Sequence, residues 1–305
     1  MISSKDLVKE RVLIVGSNGM LGQRLVEFYK SKDKVELLTS SAEENSFIDG
    51  VEYQSVDIIK KEKVKKLVLD FCPDYIINAS GFTNVDACET NREMSWKVNV
   101  KGVEYLAQYS RVIDSRMIHI STDYVFDGKN GPYTEKNPTN PVSYYGRTKL
   151  AGENELRISG SKFTILRINV LYGPAKFGKP DFVKWVINSL RDKKQIKIVN
   201  DQFNNPTFAD DVVQAVSKSI EFNKDGIYNI GGPEFLSRLE FTGRIADYFD
   251  LDKSLITPVK TEEFNFAAKR PLKSGLIILK AQTELGYKPH TIEEAFSIMK
   301  NELSL

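Results

Sequence analysis

Residues 11–22 read Arg11-Val-Leu-Ile-Val15-Gly16-Ser-Asn-Gly19-Met-Leu-Gly22, and this stretch decides the fold. The β-branched run predicts a short buried strand, glycines follow at once, and Met20 to Tyr29 carries apolar residues at helical spacing. Strand, glycine turn and helix in that order form the phosphate-binding start of a dinucleotide fold. Gly16 permits the tight turn, Gly19 lets backbone approach a pyrophosphate, and Gly22 lets helix and strand pack closely. The helix start, with Asn18, Met20 and Leu21 around it, then faces the phosphates.

The GxxGxxG spacing resembles that of the short-chain dehydrogenase/reductase superfamily. Val35 to Thr39 predicts a second strand, ending in Thr39-Ser40-Ser41. An acidic residue there would hold the ribose 2′-hydroxyl of NAD, and a basic one would welcome the 2′-phosphate of NADP. Neutral hydroxyls repel neither, so the expected cofactor is NADPH, with NADH admissible. Arg24 is a second candidate for that region, against the plainer reading of a solvated helix position. A third strand, Val51 to Val56, leads to Asp57-Ile58, which the resemblance places at adenine. After a helix from Lys60 to Phe71, Tyr75 to Asn78 reads as a buried fourth strand. It ends in Asn78-Ala79-Ser80-Gly81, small residues where a cofactor crosses the sheet edge. One helix from Trp96 to Arg111 and a fifth strand, Met117 to Ile120, complete this half.

Beyond the fifth strand stands Ser121-Thr122-Asp123-Tyr124, at the carboxyl edge where open parallel sheets bind ligands. Tyr145 and Lys149 follow in PVSYYGRTKLAGE (Pro141 to Glu153), one helical turn apart on one face. A phenol has a pKa of about 10, and a neighbouring ammonium favours the phenolate. The pair is a tuned proton donor for a carbonyl oxygen that receives a hydride. Thr122 is placed to hydrogen-bond the same oxygen, strand-end capping being the plainer alternative. The intervening DGKNGPYTEKNP reads as a surface loop.

With 305 residues the chain can bury one large core or two modest ones. A net charge of +2 gives no argument for nucleic acid or an anionic membrane as partner. KKEKVKKL (Lys60 to Leu67) is the wet face of a helix. The start, MISSKDLVKE, lacks an apolar signal core, and no apolar run reaches membrane-spanning length. Two cysteines, Cys72 and Cys88, are too few for a secreted disulfide framework, so a cytoplasmic location is expected. Two histidines, His119 and His290, without a Cys/His cluster leave no zinc site or Ser-His-Asp triad to propose. His119, in MIHIS, reads as a packed strand residue.

STDYVFDG followed by YGRTKLAGE resembles the extended short-chain reductases acting on nucleotide-activated sugars. Leu166-Arg167 and Leu171-Tyr172-Gly173 match the LR…YG that closes their sixth strand. NDQFNNPT (Asn200 to Thr207) and RPLKSGL (Arg270 to Leu276) are similar to the NDQFxxPT and RPxxSxL signatures of the dTDP-4-dehydrorhamnose reductase family. The match runs from about Val12 to Met299. The resemblance implies NAD(P)H-dependent reduction of the 4-keto group of a nucleotide-linked 6-deoxysugar. The substrate would be dTDP-4-dehydro-L-rhamnose and the product dTDP-L-rhamnose, in cell-surface polysaccharide biosynthesis. Thr122, Tyr145 and Lys149 would be the catalytic trio, with Tyr145 and Lys149 also on the cofactor. Thr83, Asp123, Tyr124 and Phe203 would line the sugar site, and Arg270 would meet the diphosphate. No metal is implied. A homodimer is an admissible assembly.

One departure is Val170, which stands where the family often has a tryptophan packing on the sugar. A 4-epimerase, a dehydratase and a non-catalytic NADP-binding subunit, such as the regulatory subunit of methionine adenosyltransferase, share the superfamily pattern and are the rival readings. The expected architecture is a doubly wound parallel α/β sheet, the NAD(P)-binding Rossmann fold, over residues 1–172. Later segments return to it around 196–230. A smaller, discontinuous substrate-binding lobe takes up 173–305.

Overall fold

The computed structural model describes residues 9–303. The first eight residues, read above for the lack of a signal core, and the last two lie outside the described residues. Seven strands, β1 (Glu10–Val15), β2 (Val35–Ser41), β3 (Glu52–Ser55), β4 (Tyr75–Asn78), β5 (Arg116–Thr122), β6 (Lys162–Ile168) and β7 (Gly226–Ile230), make one sheet. They stand in the order β7-β6-β5-β4-β1-β2-β3, every neighbouring pair parallel. The order reverses between β1 and β4, and the crevice beyond their carboxyl ends is where such a sheet binds ligands.

Among the described residues eleven α-helices accompany the sheet: α1 (Met20–Lys30), α2 (Lys61–Phe71), α3 (Val85–Thr90), α4 (Arg92–Trp96), α5 (Gly102–Val112), α6 (Tyr144–Ser159), α7 (Phe182–Arg191), α8 (Ala209–Glu221), α9 (Arg238–Tyr248), α10 (Leu279–Leu285) and α11 (Ile292–Leu303). Strand β1 is apolar at consecutive positions because both its faces are covered. Val12 and Ile14 pack under α1, α8 and α10, through Leu25, Val212 and Leu285. Leu13 and Val15 pack under α2, α5 and α6, through Val64, Leu106 and Leu156. A separate core holds the later segments: Tyr172, Phe241 and Phe296 meet there, with Tyr172 and Phe241 centroids 5.4 Å apart.

Two sequence expectations need correction. Ile196–Val199 does not return to the main sheet; it pairs in parallel with Ile256–Val259, because Ile196 and Ile198 are drawn into the second core. Only β7 and α8 carry the 196–230 region back to the dinucleotide half. The single helix expected from Trp96 to Arg111 is interrupted by a π-helical turn at Lys97–Lys101. That turn rotates Asn99 inward, where Oδ1 accepts from Phe82 N (2.8 Å) and Nδ2 donates to Thr148 Oγ1 (3.0 Å).

Candidate active site

The carboxyl ends of β1, β2 and β4 border a cleft of ≈ 250 Å³ lined by Gly16, Gly19, Asp57, Ile58, Ala79 and Ser80, all expected cofactor contacts. Its backbone walls are close. A Cβ on Gly22 would stand 2.1 Å from the Gly16 carbonyl oxygen, so only glycine lets α1 rest on the turn. This cradle of exposed backbone at a helix start suits a pyrophosphate, and the cleft therefore fits a dinucleotide. Asn18, Met20, Leu21, Gly22, Thr39 and Asn78 are not in its lining. Leu21 belongs to the core, and Met20 is half-buried at the start of α1. Thr39 Oγ1 donates to Glu52 O (2.8 Å), and Asn18 Nδ2 donates to Asn45 O (2.9 Å). Asn78 Oδ1 accepts from Ser80 N (3.1 Å), while its Nδ2 lies 3.2 Å from His119 Nδ1. These side chains build the walls.

Two features of the cleft escape a local reading. Glu43 reaches the lining from the loop after β2, its Oε2 accepting from Asn18 Nδ2 (3.2 Å). It is a carboxylate in the lining, two residues past the strand end where the sequence shows only hydroxyls. Arg24 is neither solvated nor free for a 2′-phosphate. Its guanidinium is bidentate to Asp210 (2.6 and 2.8 Å) and also bonded to Glu302 (2.6 Å), fastening α1 to α8 and α11.

Helix α6 is positioned by its own ends and by a buried ion pair. Ser143 Oγ caps it by accepting from Gly146 N (3.2 Å). A Cβ on Gly146 would lie 2.2 Å from Tyr124 O, so glycine brings the first turn onto the strand end carrying Thr122. Further along, Glu153 accepts two bonds from Arg167 (2.9 and 2.7 Å) and one from Ser121 Oγ (2.6 Å), all fully buried, locking α6 to β5 and β6. Tyr145, buried, stands within hydrogen-bonding reach of Thr122. Burial pushes its phenol well above the usual range, the Thr122 hydroxyl pulling the other way. The proton is thus held at neutral pH, as a donor requires.

Lys149 is anchored on the strand end of β5. Its Nζ donates to Ile120 O (2.7 Å) and lies 3.4 Å from His119 Nε2. A buried ammonium needs acceptors, and β5 supplies them. Burial brings Lys149 down to about 8. Its amine nonetheless borders the crevice, 4.0 Å from where a Cβ on Gly81 would stand.

The remaining expected residues spread along one wall. Thr122 Oγ1 donates to Asp123 Oδ1 (3.0 Å) and accepts from Tyr124 N (3.2 Å), so it does cap the short 3₁₀ turn Asp123–Val125. Asp123 is buried, bridges Thr122 to Ser274 of RPLKSGL, and is pushed up to about 7 by that burial. The Tyr124 ring meets Tyr145 edge-on at 5.5 Å, and burial raises its phenol to about 12. Phe203 sits 6.0 Å from Phe235, and its backbone bonds Leu272 O (2.6 Å) and Ser274 N (3.0 Å). Asn205 adds bonds to the Leu276 backbone on both sides (2.7 and 3.0 Å), so NDQFNNPT and RPLKSGL are one knitted unit. Arg270 pairs with Asp86 of α3 (2.5 Å) and overlies Phe266 at 4.6 Å. Thr83 is exposed just before α3. Val170 holds φ +34°, a conformation costly for a β-branched residue. The DGKNGPYTEKNP segment is pinned as well: Tyr133 stacks on Phe126 at 4.4 Å and bonds Gly275 O (2.7 Å). Among the described residues no His/Cys/Asp/Glu group could hold a metal ion, and no helix is long and apolar enough to cross a membrane.

Sheet order, the glycine turn and the likeness to a reductase solved with NADP define an NAD(P)-binding Rossmann protein of the extended short-chain reductase class. More narrowly, the chain belongs to the RmlD substrate binding domain family, whose model matches residues 10–304. It is 32% identical over 297 residues to a dTDP-4-dehydrorhamnose reductase of Aggregatibacter actinomycetemcomitans, covering 93% of the chain and 96% of that protein. It is similar to the dTDP-4-dehydrorhamnose reductase of Bacillus anthracis solved in complex with NADP, with TM-score 0.87 and 29% identity over 97% of the chain and 100% of that structure. It is also 28% identical, over 91% of the chain and 83% of the relative, to methionine adenosyltransferase 2 subunit beta of Rattus norvegicus.

Proposed function

We propose that this chain reduces the 4-keto group of dTDP-4-dehydro-L-rhamnose to give dTDP-L-rhamnose. The observation that carries the reading is the buried Tyr145 phenol, protonated and paired with Thr122, one helical turn from Lys149, whose amine borders the dinucleotide cleft. NADPH, when bound, supplies the hydride. Gly16, Gly19, Ala79 and Ser80 would hold its pyrophosphate and ribose along the sheet edge, and Asp57 and Ile58 its adenine. NADH is admitted too, since the Glu43 carboxylate in the cleft lining suits a 2′-hydroxyl.

Tyr145 gives its proton to the sugar O4 as negative charge develops there, a step that contributes typically about 10²–10⁴-fold. Thr122 donates to the same oxygen and fixes its position. The alkoxide charge passes to Tyr145, where the Lys149 ammonium, below about pH 8, stabilises the phenolate that remains. Tyr124, edge-on to Tyr145, and Asp123, tied to Ser274, shape the sugar pocket from the other side. Its products would serve cell-surface polysaccharide synthesis in the cytoplasm, and the active unit is a monomer or homodimer.

The test is NADPH and NADH oxidation at 340 nm with enzymatically prepared dTDP-4-dehydro-L-rhamnose. Turnover with dTDP-L-rhamnose as product is expected; NADP binding without turnover would favour the second reading, a non-catalytic subunit like the methionine adenosyltransferase relative.

A further inference from the structure

The resemblance assigns the substrate's diphosphate to Arg270, yet that guanidinium is already engaged. It is bonded to Asp86 Oδ2 (2.5 Å) and to Ala268 O (3.0 Å), with its face on Phe266. Arg238 differs. Among the described residues it has no carboxylate within ion-pair distance, and its Nη1 is buried without a hydrogen-bond partner. One face of its fork is covered by the Phe182 ring at 4.6 Å. Its backbone N donates to Gln202 O (3.0 Å), and the preceding Ser237 pairs with Phe203, whose backbone is bonded to Leu272 and Ser274, so Arg238 stands beside the segments that carry Asp123's partner Ser274 and Arg270. Asp123 makes no ion pair with it; that carboxyl accepts from Thr122 and Ser274.

A half-buried cation left without a partner is costly unless a ligand anion completes it. Beyond Arg270 opens a cleft of ≈ 640 Å³ that includes Phe264 and Phe266, stacked at 4.9 Å, and Lys269. Its lining also holds Lys260, with Asp201 and Glu262 as the carboxylates.

Resting on the reading of this chain as a nucleotide-sugar reductase, we infer that Arg238 is the residue that binds the diphosphate of the substrate. Arg270, held by Asp86, is the secondary contact. The geometry suits a guanidinium edge forking onto phosphate oxygens, which a lysine would meet only as a point charge. This sets specificity for the anionic link of the substrate and fixes how far its sugar reaches toward Tyr145. The glycine turn and α1 signal the cofactor site in sequence; Arg238, first residue of α9, carries no such signal.

The experiment compares the full chain with Arg238→Met and Arg238→Lys. It measures calorimetric affinity for dTDP and thymidine with NADP⁺ present, and KM and kcat for dTDP-4-dehydro-L-rhamnose. Arg238→Met is expected to weaken dTDP about 10- to 100-fold, leaving thymidine and NADP⁺ affinities within about twofold. KM should rise more than kcat falls, and Arg238→Lys should recover part of the loss. Unchanged dTDP affinity in Arg238→Met, or equal losses for dTDP and thymidine, would overturn the inference while leaving wild-type turnover to support the reductase reading. Wild-type dTDP binding that depends on Arg238, without any turnover, would overturn the reductase reading and leave the inference standing. Failure of the wild type to bind dTDP at all would overturn both.

Discussion

The cofactor cleft and the substrate wall of this molecule are built by opposite means. The cleft is made from consecutive residues at strand ends, and its decisive surfaces are backbone: the Gly16 turn, Gly22 against it, and the small residues after β4. The wall is made from side chains brought together across the chain. Arg270 bonds Asp86 184 residues away, and Ser274 bonds Asp123 across 151. Helix α6 belongs to both, since Lys149 borders the cleft while Tyr145 faces the wall through Tyr124. A site that must accept one cofactor can be written in short local runs at the ends of a few neighbouring strands. A site that must select a substrate is assembled from segments free to vary separately.

The shared helix is where the comparison breaks most easily. Glu153→Ala leaves the Arg167 guanidinium buried and unpaired. It is expected to cost about 3–5 kcal/mol of stability and to impair cofactor and substrate functions together; denaturant unfolding measures it. A loss below about 1 kcal/mol would mean that α6 is held by its packing alone.

Gly22→Ala attacks the cofactor side by itself. The added methyl meets the Gly16 carbonyl, forcing the turn open at about 1–3 kcal/mol. NADP⁺ affinity should fall by more than tenfold and dTDP affinity should hold, as calorimetry with each ligand would record. Equal losses would show that the two regions are not separable.

Asp123→Asn probes the wall, with a smaller effect confined to a pH window. The carboxyl is raised from 3.8 to about 7 in the folded chain, so the native state keeps a proton that the unfolded state has lost. Its contribution to stability is complete below about pH 4 and disappears as pH rises through about 7. Wild-type melting temperature should carry that downward slope, and Asp123→Asn should lack it. Identical slopes would show that Asp123 does not titrate there.

What could be read in the sequence follows the same division. The strand, glycine turn and helix at Arg11 to Tyr29 were legible because each element's signal is local, as was Tyr75–Asn78. Tyr145 and Lys149 were legible as a spacing, but not their partners. That Lys149 turns to Ile120 O depends on how deeply β5 buries it, which no spacing encodes. Glu43 was missed because the loop after β2 folds back over the cleft, and Arg238 because nothing near it in sequence marks it as unpartnered. Asn99 left one usable trace, a polar residue on the apolar face of KVNVKG, before the π turn drew it inward. The pairing of Ile196–Val199 with Ile256–Val259 is a choice between two cores, and short apolar runs do not say which core they join.

The most direct test of the account is the turnover of Tyr145→Phe beside the wild type, with dTDP-4-dehydro-L-rhamnose and NADPH at saturation. The phenyl ring preserves the edge-on packing against Tyr124 and removes only the proton donor. Turnover is predicted to fall about 10²–10⁴-fold, with NADP⁺ and dTDP affinities close to wild type. Near-normal reduction by Tyr145→Phe would contradict the assignment of Tyr145 as the acid, and with it the chemistry proposed for this site.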